Sequence, residues 1–110
     1  MRTLKFRTWS KQAQCIIPWE ELKPKFVKLL DNPEYPYMQF TGLLDKSGVE
    51  IYEGDIVKWQ HSLKGGIVAI IFKDGCFCVA GFYIDASWNK PLEVIGNIYK
   101  NPELIKGEIR

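Results

Sequence analysis

The sequence predicts a mainly β domain, a small bent sheet or SH3-like barrel with one short helix near residues 20–30. Three observations lead there. Short apolar segments alternate with period two, the mark of half-buried strands. Glycine- and aspartate-centred turn signals fall between them at close spacing. Only one segment, Glu20 to Leu30, carries helical spacing, through Phe26, Leu29 and Leu30. Many short strands joined by tight turns argue for a strongly bent sheet or a barrel.

The elements follow in order. Leu4, Phe6 and Thr8 alternate with Lys5, Arg7 and Trp9, which predicts a strand over Thr3–Trp9. Ser10–Gln12 is a turn, and the apolar run Cys15–Pro18 is a second strand paired with the first. The helix comes next, with Pro24 in its first turn, where the missing N–H costs nothing. Asn32-Pro33 stops it, and Pro33 and Pro36 form a stiff connector. Tyr37–Gly42 is a strand, Asp45–Gly48 a turn, Val49–Tyr52 the return strand, and Glu53-Gly54 a second turn. Asp55–Gln60 is a further strand, with Val57 and Trp59 on one face.

Ser62–Gly66 reads as a polar loop, and Ile67–Phe72, apolar on both faces, as a central strand. Asp74-Gly75 is a two-residue hairpin signal, with Cys76–Gly81 pairing back. Phe82–Trp88 is ambiguous, with a turn at Asp85-Ala86-Ser87. Leu92–Ile98 is the last strand, broken at Gly96 by a bulge. Asn101-Pro102 ends the regular region, and the tail from about residue 104 is expected to be flexible. Gly42, Gly48, Gly54, Asp55, Gly75 and Gly96 are thus assigned to structural turns or bulges. The 110 residues form a single domain, with no repeat, low-complexity tract or linker.

Composition narrows function. A net charge of +2 is too mild to imply nucleic acid by itself. Its distribution is uneven: Met1–Leu30 carries +5, Asp31–Gln60 carries −4 and His61–Arg110 carries +1. A basic segment beside an acidic one can seal the monomer or join two copies. No apolar run approaches a membrane span, and MRTLKFRTW lacks a signal-peptide core. Three cysteines suit a reducing compartment better than a disulfide scaffold, so a cytoplasmic location is expected.

Few residues suggest chemistry. Glu50, Glu53 and Asp55 cluster round a turn, and three carboxylates can hold a divalent cation. Yet Asp55 opening a strand has a simpler task, accepting from backbone N–H groups that the turn leaves free. Cys76 and Cys78 share a strand face, but only Cys15 and His61 remain to complete a zinc site. Buried thiols are the simpler reading. His61, the only histidine, sits in a predicted loop with no partner for nucleophilic catalysis. No phosphate-binding glycine motif is present. No cofactor, metal or small-molecule substrate is expected.

Binding is better motivated. Lys5, Arg7 and Trp9 share a strand face. Two cations and an aromatic can grip a nucleic-acid backbone and stack a base; they can equally pair with the acidic middle segment or form a plain solvated face. Tyr35, Tyr37, Trp59, Phe82, Tyr83 and Trp88 exceed what a small core easily hides, and exposed aromatics mark contact surfaces. Trp59, Tyr83 and Trp88 join Lys5, Arg7 and Trp9 as the candidate binding residues.

Three stretches carry a family resemblance: KFRTWSK (Lys5–Lys11), FTGLLDKSGVEIYEGDIVKW (Phe40–Trp59) and VIGNIYKNPEL (Val94–Leu104). Together they resemble the phage YopX family, small proteins encoded in phages and prophages. The resemblance implies a mainly β domain with a barrel-like core, and brings no catalytic residues to transfer. The expected function is a non-enzymatic phage accessory protein working by self-assembly or by binding a protein partner. The alternative is a phage nucleic-acid-binding module, and the third reading a metal-dependent enzyme at Glu50, Glu53 and Asp55.

Overall fold

The computed structural model describes residues 3–61, 64–80, 82–85, 88 and 91–105. Its strands are β1 (Phe6–Ser10), β2 (Cys15–Ile17), β3 (Tyr37–Leu44), β4 (Glu50–Tyr52), β5 (Asp55–His61), β6 (Lys64–Ala69), β7 (Ile71–Lys73), β8 (Cys76–Val79), β9 (Phe82–Tyr83) and β10 (Leu92–Asn97). They form three antiparallel sheets, ordered β2-β1-β3-β4, β10-β5-β6 and β7-β8-β9. The bent sheet expected from the sequence is thus present.

The second and third sheets run into each other. β6 and β7 are separated only by Ile70, whose N–H donates to the Asp55 carbonyl at 2.8 Å. Its own carbonyl accepts from Gly54 N–H at 2.8 Å. The chain from Lys64 to Lys73 therefore lies between β5 on one side and β8 on the other. The apolar-on-both-faces run Ile67–Phe72 occupies this central place, as its pattern required. The predicted loop over Ser62–Gly66 is corrected in part: Lys64–Gly66 extends β6, and residues 62 and 63 lie outside the described ones.

The turns obey their chemistry. Asp74 and Gly75 take φ of 54° and 79°, the left-handed pair that a two-residue hairpin with right-handed strand twist needs. Gly42 (φ 89°) does not end its strand as expected; β3 continues to Leu44, and the β3–β4 register shifts between Phe40 and Leu44. The glycine absorbs that bulge. Gly96 sits at the expected irregularity of β10, where the register against β5 shifts between Val94 and Gly96. A Cβ there would lie 2.5 Å from Asn101 Oδ1, so close approach is what requires glycine.

The helical segment is also corrected. It begins at Trp19 and is broken: α1 (Trp19–Leu22), a 3₁₀ turn (Lys23–Lys25) and α2 (Phe26–Leu29). Pro24 lies in the 3₁₀ joint instead of a first helical turn, because its lost N–H interrupts the α ladder there. Trp19 and Phe26 pack with Phe6 and Tyr37 against the first sheet. At the other end, Pro102–Ile105 forms a further 3₁₀ turn, and the rest of the expected tail lies outside the described residues.

Two apolar clusters form the core. The larger gathers Ile51, Val57, Trp59, Val68, Ile70 and Val79 with neighbours from β9 to β10. The smaller holds Trp9, Met38, Phe40 and Tyr52 beneath the first sheet, with Tyr99 packed on its edge.

Candidate interaction surface

The basic strand and the acidic turn meet each other inside the molecule. Arg7 Nη2 donates to Asp55 Oδ1 at 2.5 Å, with side chains 14% and 2% exposed. The other Asp55 oxygen accepts from Tyr52 N–H at 2.7 Å. This is the backbone-satisfying task that the sequence suggested for Asp55, joined to an ion pair that closes β1 over β5. The Arg7 guanidinium also lies 4.5 Å from the Tyr52 ring centre, a cation–π contact. Two residues earlier the pattern repeats: Lys5 pairs with Glu50 and sits 4.9 Å from the Phe40 ring centre.

Burial sets the electrostatics here. It pushes the Asp55 carboxyl above the usual carboxylate range, outweighing the opposing pull of Arg7 and the Tyr52 N–H. Burial, and then the Glu50 charge, push the Tyr52 hydroxyl up to about 12. The second buried carboxylate, Asp45, goes the other way. Burial raises it, but N–H donations from Val94, Val49 and Ser47, with the Lys46 charge, outweigh that and hold it below the usual range.

Three candidate binding residues therefore change place. Trp9 is not offered to solvent beside Lys5 and Arg7; it is 3% exposed and stacked at 6.0 Å on Tyr99. Lys5 and Arg7 are engaged by the acidic segment, one of the arrangements the charge pattern allowed. The carboxylates do not converge on a cation site: Glu50 faces Lys5, Asp55 faces Arg7, and Glu53 accepts from Gln39 N–H. Among the described residues no cluster of His, Cys, Asp or Glu is grouped for a metal ion.

Of the predicted surface aromatics, Trp59 is buried, touching Phe82 at 5.9 Å and Trp88 at 6.2 Å. Trp88 and Tyr35 are half-buried. Tyr37, Phe82 and Tyr83 are exposed, Tyr83 by 63%. Of the two thiols expected to be buried, Cys78 is and Cys76 is half-buried; Cys15 is exposed. His61 closes β5 instead of standing in a loop, and the expectation for its side chain lies outside what is described.

The open region is the small sheet β7-β8-β9. Its ladder sets Ile71, Cys78 and Tyr83 side by side on one face. With Phe72, Lys73, Asp74 and Ala80 they line a groove of about 620 Å³. Phe72 and Phe82, which alternate with them along the strands, are 50% and 54% exposed. The apolar run to Phe72 and the hairpin signal predicted β7 and β8, whereas β9 opens the segment Phe82–Trp88 that the sequence leaves ambiguous; Phe72 reads from sequence as interior. It lies on the core-facing side of a central strand, but past the end of the sheet that covers it.

Comparison with known proteins places this arrangement. A model of the YopX protein family matches residues 25–106. The chain belongs to the YopX family. Its structure is similar to that of protein EF1440 from Enterococcus faecalis, with a TM-score of 0.68 and 23% identity over 96% of this chain and 99% of that one. It is also similar to protein YopX from Bacillus subtilis, with a TM-score of 0.54 and 20% identity over 94% and 98% of the two chains. At such identities the likeness concerns the fold. A search of the curated proteins found no match. The family match contains Asp55 and Glu50 but neither Arg7 of β1 nor Lys5 just before it. In this YopX-family chain two carboxylates of the matched block are therefore paired with cations outside it.

Among the described residues no helix is long and apolar enough to cross a membrane.

Proposed function

We propose that this YopX-family chain is a non-enzymatic phage or prophage accessory protein that acts in the cytoplasm by protein–protein binding or self-assembly. One observation supports this best. The sheet β7-β8-β9 leaves Phe72, Phe82 and Tyr83 half or more exposed beside a groove lined by Ile71 and Cys78. Large aromatics held out on a rigid sheet are the usual anchors of protein contacts. At the other end Lys5 and Arg7 are engaged internally, by Glu50 and Asp55.

The test is sedimentation velocity of the full chain across a hundredfold concentration range, repeated with Tyr83→Lys. Concentration-dependent association that Tyr83→Lys weakens supports self-assembly through this sheet. A monomer at every concentration, with no protein captured from host lysate on immobilised chain, defeats the proposal. Capture of DNA or RNA that weakens with rising salt would move the reading to a nucleic-acid module.

A further inference from the structure

The backbone of β7 leaves a ladder position open. A two-residue hairpin at Asp74-Gly75 makes Lys73 and Cys76 a hydrogen-bonded pair, and Ile71 and Cys78 the next. Phe72 lies between them, so its N–H and C=O point away from β8. They point to the side on which Ile70 bonds Gly54 and Asp55. β5 starts at Asp55 and reaches no further, so among the described residues no strand pairs with Phe72 on that side. Among the described residues no backbone group bonds Phe72 on that side. Such an edge accepts an extended chain.

Beside that position lies a separate cleft of about 190 Å³, walled by Tyr37, Met38, Phe72, Ile98 and Tyr99, with Glu53 at its side. Its aromatic walls are accessible: Tyr37 is 46% and Phe72 50% exposed. Glu53 gives the cleft its charge. One of its oxygens accepts from Gln39 N–H at 3.2 Å, and among the described residues no cation pairs with it. Its charge reaches the cleft wall, where it adds to burial in raising the Tyr99 hydroxyl. Aromatic faces with one unpaired carboxylate are the surroundings that a guanidinium or ammonium seeks.

We infer that this corner binds an extended segment of a partner protein, adding one strand to the Phe72 edge and placing an arginine or lysine side chain against Glu53 in the cleft. The inference rests on the protein-binding reading above and narrows it to a basic, strand-forming partner. The open backbone pair supplies main-chain hydrogen bonds, the aromatic walls cover the apolar stem of the cation, and Glu53 supplies selectivity. Lys73 and Asp74, next along the edge, are the charged residues that keep such an edge from pairing indiscriminately.

The experiment is an amide chemical-shift titration of the full chain with a blocked five-residue peptide, valine and threonine about a central arginine. A peptide with glutamine in place of arginine is the control. Saturable shifts centred on Phe72, Glu53 and Tyr99 are expected, about tenfold weaker binding for the glutamine peptide, and a similar loss with Glu53→Gln. The Glu53→Gln side chain keeps an acceptor for Gln39 N–H. Phe72→Pro removes the outward N–H and the cleft-wall ring while leaving the β7–β8 bonds intact, and is expected to abolish the shifts while the chain still folds, with a lower melt from the lost Phe77 contact. Absence of shifts at millimolar peptide overturns the inference, and so does equal binding of both peptides. If sedimentation still shows association through Tyr83, only this inference falls; if that too is absent, the binding reading falls with it.

Discussion

The two ends of this domain spend their polar and aromatic side chains in opposite ways. Around β1 and the turn before Asp55, Lys5 meets Glu50, Arg7 meets Asp55 and the rings of Trp9 and Tyr52 are buried. Around β7, β8 and β9, rings stand in solvent and, among the described residues, no strand pairs with Phe72 at the outer edge of β7. Both regions are short strands joined by tight turns, so secondary structure does not distinguish them. The difference is supply: Lys5 and Arg7 bring two cations to Glu50 and Asp55, whereas no described strand pairs with Phe72 at the outer edge of β7. One region is consequently a matter of stability, and the other is available for contact.

Substitutions should expose that contrast, and the largest effect belongs to the closed end. Asp55→Ala leaves the Arg7 charge and the Tyr52 N–H without their acceptor. A loss of about 3–5 kcal/mol in urea denaturation is expected. A loss below about 1 kcal/mol would show that Arg7 finds water, and that this end is less sealed than it looks.

Asp45→Ala comes next. It frees the N–H groups of Ser47, Val49 and Val94 together, for an expected loss of about 2–3 kcal/mol. The two aspartates should also respond to pH with opposite sign. Asp45 is depressed when folded, so its stabilisation is present above its ordinary value of 3.8 and is lost as pH falls through the folded value. Asp55 is raised when folded, so the folded state holds its proton more tightly. Its contribution declines as pH rises from 3.8 through the folded value and is constant above that. The stability difference between wild type and Asp45→Asn, followed by acid titration, should therefore shrink below pH 3.8. Growth of that difference on acidification would invert the assignment.

A milder comparison uses two glycines. Gly54 and Gly75 have φ of 88° and 79°, a region that costs a side chain about 1–2 kcal/mol. A Cβ at Gly54 also comes within 3.2 Å of Met38 Sδ, whereas at Gly75 nothing lies within 4 Å. Gly54→Ala should thus be the more damaging of the two by thermal melt, and equal losses would mean that Met38 simply moves aside. The smallest effect is expected at Tyr83→Lys, within about 0.5 kcal/mol of wild type, because that side chain is exposed. A large loss there would place Tyr83 in the core and remove the contrast.

Much of the architecture was legible in the chain because its signals are local. Asp74-Gly75 specifies its turn by dihedral preference, Gly96 marks a bulge, and alternation locates most strands. Even the role of Asp55 could be read from its place at the start of a strand. What was not legible depends on which faces meet. The alternation of Lys5, Arg7 and Trp9 looks the same whether water, a polyanion or Glu50 and Asp55 lies opposite. Likewise the turn aspartate Asp45 announces its bonds to Ser47 and Val49, while its bond to Val94 depends on where β10 returns. The cleft beside Phe72 has no sequence signal, since Tyr37, Glu53 and Tyr99 come from three separate segments. Phe72 itself is apolar in an apolar run, and only the shortness of β5 leaves it uncovered.

The ties that close the molecule also bear on how fast it forms. Lys5 to Glu50, Arg7 to Asp55 and Asp45 to Val94 join positions 45, 48 and 49 residues apart. None can form until a long stretch of chain has been drawn together, and the entropy of that closure comes before any of its reward. The chain should accordingly refold on the slow side for its size, in milliseconds to seconds. During that interval the strand that needs Arg7 to neutralise Asp55 stands apart from it, and the nascent sheet carries an unneutralised acidic turn.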